Sequence, residues 1–235
     1  HLQKTDNEFL KGKNILITGG PTREYLDSVR FISNPSTGKM GIALANSAKN
    51  HGANVKLILG PTPLSAQKNI ETEYIISSDE MYKAVVKNFQ WADVVIMSAA
   101  VEDIKPKSTN SKKIKKNQIP NSLQLVKTKD ILLELGKQKR DQILIGFSVE
   151  TENEVQNSIE KLKRKNLDFI VVNNPNVKGA GFGSDTNKTT IITKDEEIIE
   201  NELMRKVELA DKIIQRVSKS FTQSSQRKKR TQRGN

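Results

Sequence analysis

Cysteine is absent from the chain, and histidine occurs only as His1 and His51. Without cysteine the chain cannot form a disulfide framework or supply a thiol for catalysis. Two histidines argue against a histidine-based metal site and against a Ser-His triad. The lack of cysteine also agrees with a cytoplasmic location. Any chemistry at this protein's site is therefore expected to need neither a thiol nor an imidazole.

Long hydrophobic runs are missing as well. No apolar run approaches the roughly 18 residues that a membrane-spanning helix needs, and no secretory signal begins the chain. We therefore expect no membrane partner. The length of 235 residues fits one large domain or two small ones. Because the first residue is His1 rather than methionine, we expect a fragment, a processed chain or a piece of a longer polypeptide.

Positive charge is abundant, with a formal net charge of +12. The segment from Phe221 to Asn235 has five basic residues and no acid, which leaves +7 for the rest of the chain. A basic body favours a polyanionic small molecule or a nucleic acid as partner. Residues 220–235 are predicted to be a disordered basic tail, and residues 1–12 a polar linker.

The stretch from Asn14 to Gly60 predicts a βαβ unit. The apolar run at 15–17 predicts a buried strand that stops at a sharp turn. Ser36 or Thr37 is expected to cap a helix that starts near Gly38, and 55–59 predicts the next strand. About twenty residues separate the first strand from this helix, where a βα connection usually has 2–6. A connection of that length at a strand end is typical of a functional loop.

Further apolar runs alternate with amphipathic segments along the chain. This alternation predicts one Rossmann-like α/β domain over 13–219, an open, mostly parallel sheet with helices on both faces and a short hairpin near the C-terminus. The predicted strands are 73–77, 93–97, 123–126, 142–147 and 168–172, with a hairpin of 189–193 and 197–199. The predicted helices are 80–90, 129–139, 152–165 and 201–218. Ser78 or Asp79 is expected to cap the first of these. The third has Val155, Ile159 and Leu162 on one face, and the last carries Leu203, Val207, Leu209, Ile213, Ile214 and Val217.

Small and polar residues follow four of the predicted strands, at 19–34, 98–103, 147–151 and 173–176. Since the carboxyl ends of parallel strands meet at one edge, these segments predict a ligand cleft. The segment 33–40 only partly matches a phosphate loop, because Ser33 and Met40 stand where glycine and a hydroxyl residue are needed. No G-x-G-x-x-G follows the first strand. The start of the predicted helix near Gly38 either binds an anion or is a plain capped turn, and the sequence leaves both interpretations open.

The loop 103–121 contains six lysines and no acid after Asp103. It is either a solvated loop or a lid that neutralises a triphosphate. Asp103 is placed to hold a ribose hydroxyl or a metal-bound phosphate, or else to cap a turn. Lys161 and Lys165 are spaced i, i+4 and so share a helix face, which is more often simply solvated.

Six motifs together resemble one known family, phosphopantothenoylcysteine synthetase. These are ILITGGPTRE-x-LD-x-VR-x-ISN-x-S-x-GKMG, SAAVED, KIKK, GFSVET, KRKNLD and GFGSDTN, and the resemblance runs from Lys13 to Lys219. It implies a ligase that joins 4′-phosphopantothenate to L-cysteine, with CTP and Mg²⁺, through an acyl-cytidylate. Neither half-reaction requires a protein nucleophile, which agrees with the missing cysteine and the scarce histidine.

The resemblance also implies roles for individual residues. Asn34 matches an asparagine that hydrogen-bonds the acyl-cytidylate, and Lys113 matches a lysine that engages the triphosphate, so both are expected to be catalytic. The residues expected to bind the nucleotide are Ser98, Ala99, Asp103, Lys113, Asp130, Phe147, Lys161 and Lys165. No protein metal ligand is implied. The resemblance also implies that the loop 103–121, called the lysine loop below, is a flexible lid.

Three departures from the family pattern concern residues near the predicted site. Thr128-Lys129 replaces a common Asn-Pro, Glu102 replaces a small residue, and Asn173-Asn174 replaces a common Asn-Asp. The resemblance further implies a homodimer formed through strands around 168–200, and fusion to or pairing with a flavin-dependent phosphopantothenoylcysteine decarboxylase. The alternatives are a non-catalytic nucleotide-binding module and a nucleic-acid-binding module. The latter is disfavoured because the tail has one aromatic residue and no folded scaffold.

Overall fold

Twelve strands and five α-helices form within residues 8–232, the part of the chain that the computed structural model describes, with side chains described for 8–221. The strands are β1 (Asn14–Gly19), β2 (Arg23–Tyr25), β3 (Phe31–Ser33), β4 (Asn54–Leu59), β5 (Glu71–Tyr74), β6 (Val94–Met97), β7 (Ile104–Pro106), β8 (Leu125–Lys127), β9 (Ile143–Val149), β10 (Phe169–Asn173), β11 (Thr186–Thr193) and β12 (Ile198–Arg205). The helices are α1 (Lys39–Asn50), α2 (Ser78–Phe89), α3 (Ile131–Gln138), α4 (Glu154–Arg164) and α5 (Lys206–Gln232).

Eight strands form the central sheet, in the order β12-β11-β10-β9-β6-β1-β4-β5. Strands β10, β9, β6, β1, β4 and β5 pair in parallel, whereas β11 and β12 add an antiparallel hairpin. Two small antiparallel pairs, β2–β3 and β7–β8, lie outside this sheet. The predicted Rossmann-like α/β fold is confirmed, and its parallel strands direct their carboxyl ends to one edge.

Helices cover both faces of the sheet, because the central strands are apolar on both sides. Ile15 and Ile17 of β1 pack on the face that is covered by α1 and α5, while Leu16 between them packs on the face covered by α2, α3 and α4. Alternate side chains of a strand point to opposite faces, so a continuous apolar run is the pattern of a doubly covered strand. These two faces are called the α1/α5 face and the α4 face below.

Two helix caps differ from the prediction. Helix α1 is preceded by Gly38 with φ 78°, a conformation that glycine adopts readily, and neither Ser36 nor Thr37 caps it. Helix α2 is capped by Ser77, whose side chain accepts from the backbone N–H of Glu80, so Ser78 lies inside the helix. Several serines and acids in a row leave such a start ambiguous by a residue or two.

Several helix and strand boundaries in the structure differ from the predicted ones. The predicted strand 73–77 lies at 71–74, and the helix predicted from 201 begins only at Lys206. Residues 201–205 instead extend β12 against β11, so tertiary pairing overrides their helical periodicity. Leu203 and Val207, predicted to be on the buried helix face, are exposed, as is Val155 of α4.

The two chain ends differ from the predicted linker and tail. Leu10 is fully buried and Phe9 stacks on His51, so part of the predicted linker packs against the domain; residues 1–7 lie outside the described part. The backbone of α5 stays helical through Gln232, where disorder was predicted. Lysine, arginine and glutamine favour helix, and no glycine or proline interrupts this segment before Gly234.

Candidate functional site

A cleft of about 420 Å³ opens at the carboxyl ends of β1, β6, β9 and β10. Such an edge is where open α/β sheets bind ligands. The cleft is lined by eight of the nine predicted site residues, namely Asn34, Ser98, Ala99, Asp103, Asp130, Phe147, Lys161 and Lys165. The ninth, Lys113, is exposed and is not among the lining residues. The topology therefore brings together side chains that are more than a hundred residues apart in sequence.

Close packing of α1 on β1 shapes the floor of the cleft. A Cβ built on Gly41 would lie 2.5 Å from the Cα of Gly19, so only glycine allows the observed approach of helix and strand. The Ser98 hydroxyl donates to the Thr18 carbonyl oxygen at 2.5 Å, and the Thr18 hydroxyl accepts from the Ala99 N–H at 3.2 Å. These contacts fix the small residues after β6 against the end of β1.

The long connection between β1 and α1 folds into the β2–β3 hairpin, and Asn34 follows β3 directly. The hydroxyl of Ser33, the preceding residue, donates to the carbonyl oxygen of Thr22 at 2.7 Å. Asn34 itself is half-buried and lines the cleft. A short strand pair thus holds the predicted catalytic asparagine close to the start of α1.

Asp27, at the tip of this hairpin, is fully buried and organises the surrounding loops. Its carboxylate accepts from the backbone N–H groups of Val29 and Arg30, from the Arg30 guanidinium, and from the Ile114 N–H at 3.1 Å. The Arg30 guanidinium holds the pKa of the Asp27 carboxyl well below its usual range. The aspartate therefore stays ionised and fastens the lysine loop to the hairpin.

The lysine loop is anchored beside Lys113. Arg30 donates to the carbonyl oxygen of Ile114 at 3.1 Å, and the Thr109 hydroxyl donates to the carbonyl oxygen of Tyr25 at 2.9 Å. Near the N-terminal end of the loop, Lys105 forms an ion pair with Asp79. These contacts hold the loop against the hairpin, with Lys113 outside the cleft lining.

The predicted Lys161 of α4 and Lys165, which directly follows that helix, each contact a carboxylate. Lys161 pairs with the buried Glu150 and donates to the Ser148 hydroxyl at 3.0 Å, while Lys165 pairs with Asp130 at 2.9 Å. Burial raises the pKa of Glu150, but hydrogen bonds from Lys161, Ser148 and Asn157 outweigh that effect and lower it overall. Glu150 therefore faces Lys161 as a carboxylate, a contact that the spacing of the lysines did not reveal.

Residues on the α1/α5 side of the cleft were not predicted as site residues. Lys206, at the start of α5, is buried and donates to the carbonyl oxygens of Gly181 at 3.0 Å and Ser184 at 2.7 Å. Lys39 donates to the carbonyl oxygen of Gly183 at 2.9 Å and pairs with Asp185 at 2.6 Å. The two lysines thereby hold residues 179–185, called the glycine-rich loop below, as a wall of the cleft.

The cleft is electropositive, since five lysines and two aspartates are among its lining residues. Burial, and then the nearby charge of Lys39, lower the pKa of Lys206, with Asp185 opposing the shift. Next to Asp103, burial followed by the charges of Asp103 and Glu24 raises the pKa of Glu102. The described residues contain no group of three acidic, histidine or cysteine side chains that could hold a metal ion.

Comparison with known proteins places this arrangement in a family. Residues 10–221 match the model of the DNA/pantothenate metabolism flavoprotein C-terminal domain. The chain belongs to this family. The resemblance visible in its motifs is thereby confirmed.

Two curated relatives of this flavoprotein C-terminal domain are longer than the chain. It is 42% identical over 228 residues to the coenzyme A biosynthesis bifunctional protein CoaBC of Bacillus subtilis (strain 168), covering 97% of the chain and 56% of that protein. It is 45% identical over 217 residues to a cysteine/cysteine sulfinic acid decarboxylase of an unknown prokaryotic organism, covering 92% of the chain and 60% of that protein. The chain thus spans less than two thirds of either relative.

A solved structure matches the domain almost completely. The crystal structure of the C-terminal domain of coenzyme A biosynthesis bifunctional protein CoaBC superposes with a TM-score of 0.80 and 39% sequence identity. The match covers 92% of the chain and 99% of that structure. Within the described residues, no helix is both long and apolar enough to cross a membrane.

Proposed function

We propose that this domain is a phosphopantothenate–cysteine ligase. It joins 4′-phosphopantothenate to L-cysteine at the expense of CTP and releases CMP and pyrophosphate. The observation that carries the proposal is that Asn34 lines one lysine-rich cleft together with seven predicted nucleotide-binding residues, which come from the ends of β6 and β9, the start of α3 and the region of α4. Its membership of the flavoprotein C-terminal domain family and its similarity to CoaBC proteins support the same conclusion.

The α4 side of the cleft takes the nucleotide in this proposal. Phe147 supplies an apolar surface, and Asp103, Lys161 and Lys165 supply hydrogen-bonding groups around it. The carboxylate of phosphopantothenate attacks the α-phosphorus of CTP, the bond to the β-phosphate oxygen breaks, and pyrophosphate leaves. Lys113 helps to neutralise the triphosphate when the lysine loop closes over the cleft, since positive groups stabilise the charge of a transferring phosphoryl group.

Asn34 holds the acyl-cytidylate in this proposal and acts mainly in the second half-reaction. Its amide donates a hydrogen bond to the acyl-cytidylate, where negative charge develops as the amine of cysteine attacks the acyl carbon. The carbon–oxygen bond to CMP then breaks, the attacking nitrogen releases a proton to solvent, and an amide remains. The residues expected to act here are an amide and lysines, so the absence of cysteine from the chain is no obstacle.

Magnesium fits this cleft only as a nucleotide-bound ion. Mg²⁺ is commonly held by one or two carboxylates together with substrate phosphates. Among the lining residues Asp103 and Asp130 are the carboxylates, and Asp130 already pairs with Lys165. We infer that Asp103 is the residue that would hold a Mg²⁺ ion bound to CTP, and that the ion would screen the phosphate charge.

The wider setting is proposed on the same basis. We propose a cytoplasmic homodimer that works fused to, or paired with, a flavin-dependent phosphopantothenoylcysteine decarboxylase. The greater length of the curated relatives and the word bifunctional in the name of the Bacillus protein support the second part. Sedimentation of the purified chain would test the dimer.

Pyrophosphate release tests the proposed function most directly. The purified chain is mixed with phosphopantothenate and either CTP or ATP, with no cysteine present. Release that requires phosphopantothenate and is faster with CTP supports the proposal. A chain that binds nucleotide without releasing pyrophosphate would instead be a non-catalytic nucleotide-binding module.

A further inference from the structure

Two buried asparagines on the α1/α5 side of the cleft have no partner for their side-chain oxygens. Asn173 is 9% exposed and Asn187 is 5% exposed, and both line the cleft. Among the described residues, the Oδ1 atoms of both are buried without a hydrogen bond. A buried polar group that lacks a partner destabilises the fold, because it has lost its hydrogen bonds to water without replacement. Two such groups in one cleft wall point to a ligand that completes their hydrogen bonds.

The sheet register puts the two asparagines on the same face. Asn173 of β10 lies opposite Thr189 of β11, and Asn187 is two residues before Thr189. The pairing of β11 with β12 shifts register between Asn187 and Thr189, but burial in β11 still alternates there, with Asn187 and Thr189 buried and Lys188 exposed. Asn187 therefore shares the face of Thr189 and Asn173. This is the face on which Val171 and Ile191 pack beneath α1 and α5. The unpartnered oxygens are therefore neighbours at the end of that face.

Two lysines stand at the same wall with donor capacity to spare. Lys206 and Lys39 each make two of the hydrogen bonds that hold the glycine-rich loop. An ammonium group has three N–H donors, so one donor on each lysine remains. Lys206 is held by carbonyl oxygens, with no carboxylate bonded to it in the described structure. The wall thus contains two asparagine oxygens that lack a hydrogen-bond donor. It also contains two lysines that each have an N–H left to donate to an anion.

This pairing matches a zwitterion rather than a phosphate. Phosphate oxygens offer no hydrogen to an amide oxygen, whereas an ammonium group offers three. A carboxylate in turn suits the remaining lysine donors. We propose that Asn173, Asn187, Lys39 and Lys206 form the subsite for the amino-acid co-substrate, with its ammonium at the asparagine oxygens and its carboxylate at the lysines. The proposal rests on the proposed ligase function, which makes that amino acid L-cysteine.

The location agrees with the order of the proposed reaction. The subsite adjoins Thr37 and Gly38, which line the cleft together with Asn34. The predicted nucleotide-binding lysines lie on α4 or directly after it, across the sheet. An amino acid bound at this wall can therefore approach the acyl group at Asn34 from the side opposite the nucleotide.

Leucine substitutions separate a ligand-binding role from a structural one. Leucine has the same branched outline as asparagine, although it is larger, and it has no polar atom to leave unpaired. Asn187→Leu and Asn173→Leu are therefore expected to stay folded, with a melting temperature near that of wild type. Each variant is expected to raise the half-saturating concentration of L-cysteine about tenfold. This increase is at the lower end of the loss in affinity that follows when a hydrogen bond to a charged group is removed. Pyrophosphate release without cysteine is measured in the same variants, and a loss of this rate as large as the loss of L-cysteine affinity would show a general disturbance of the cleft and overturn the subsite.

Ser158→Ala is the matched control. The Ser158 hydroxyl is also buried without a partner, but Ser158 is not among the residues that line the cleft. Its removal should affect the melting temperature as the leucine variants do, with no change in the half-saturating concentration of L-cysteine. If both leucine variants bind L-cysteine as wild type does, the ammonium assignment is wrong.

The carboxylate half of the proposal has its own test. Lys39→Met, at a partly exposed position, should raise the half-saturating concentration of L-cysteine at least fivefold. Wild type should need a much higher concentration of L-cysteine ethyl ester, which lacks the carboxylate. Equal values for acid and ester would overturn the assignment of the lysines. Absence of pyrophosphate release from wild type, by contrast, would refute the ligase function itself.

Discussion

Lys161 and Lys165 show how a residue's role depends on its neighbours. Both line the cleft, but Glu150 and Asp130 compensate their charges before any ligand arrives. A lysine beside a carboxylate attracts a polyanion weakly, although its remaining N–H donors can still bind an uncharged acceptor. We infer that these lysines orient the nucleoside part of the nucleotide, and that the phosphates depend more on the lysine loop.

Asn34→Asp is expected to stall the second half-reaction. An amide can donate to the charge that develops at the acyl carbon, whereas an aspartate only accepts and adds a negative charge of its own. Loss of one such donor lowers turnover by about 10²–10³-fold. Chromatography of a quenched reaction should show acyl-cytidylate accumulating with little amide product. Asn50→Asp, which still accepts from Gln67, is the control; normal turnover of Asn34→Asp would exclude the proposed role of Asn34.

Lys113→Gln should impair the first half-reaction. Lys113 lies outside the cleft lining and reaches a triphosphate only when its loop moves, so the variant removes a positive charge without disturbing the cleft. We expect pyrophosphate release to slow at least tenfold while the melting temperature stays the same. Lys112→Gln, the adjacent exposed lysine, should release pyrophosphate at nearly the wild-type rate. Equal rates for both variants would remove Lys113 from the phosphate-binding role.

Elements position these residues through close packing, and the contact of α1 with β1 lies directly at the cleft. Gly41→Ala would put a Cβ 2.5 Å from the Cα of Gly19 and 2.9 Å from the Thr18 oxygen, so the helix must shift. Overpacking of this kind costs about 1–3 kcal/mol. Thermal unfolding should show a lower melting temperature, together with a higher KM for CTP. Lys49→Ala in the same helix should leave both unchanged, and a Gly41→Ala protein with wild-type values would show that this packing is not needed.

The buried carboxylate of Asp27 links the hairpin and the lysine loop, so its loss should have a pH-dependent effect. Because its pKa is lowered in the folded chain, its contribution to stability is complete above the ordinary carboxyl pKa of about 4 and falls as the pH drops below it. Asp27→Asn should therefore melt at a lower temperature than wild type at pH 7, and the gap should narrow between about pH 4 and pH 3. A gap that stays constant over this range would show that the charge of Asp27 does not stabilise the fold.

The whole molecule combines the family domain, residues 10–221, with a strongly basic end. The family match stops at residue 221, and the five basic residues Arg227, Lys228, Lys229, Arg230 and Arg233 follow it. Truncation after Phe221 should leave ligase turnover within twofold of the full chain. It should also weaken any binding of single-stranded polynucleotide at low salt and flatten its salt dependence, because fewer phosphates are neutralised. Loss of turnover on truncation would show that the last part of α5 is needed for the activity.

Much of the architecture could be predicted from local pattern. Short apolar runs identified the central strands, and the geometry of a parallel sheet then required their carboxyl ends to meet, which placed the cleft. Boundaries were predicted less well where long-range pairing decides them. The segment 201–205 has helical periodicity, yet it is strand because β11 provides a hydrogen-bonding edge.

The sequence by itself determined the fold class, the family, and eight of the residues that line the cleft. Only the tertiary structure decided what those residues contact: Glu150 at Lys161, the lysines at the glycine-rich loop, and the unpartnered oxygens of Asn173 and Asn187. The physical reason is that periodicity and motifs record local conformation and burial. A hydrogen bond depends instead on where distant backbone segments bring two groups together, and whether a buried group lacks a partner is known only once every neighbour is in place.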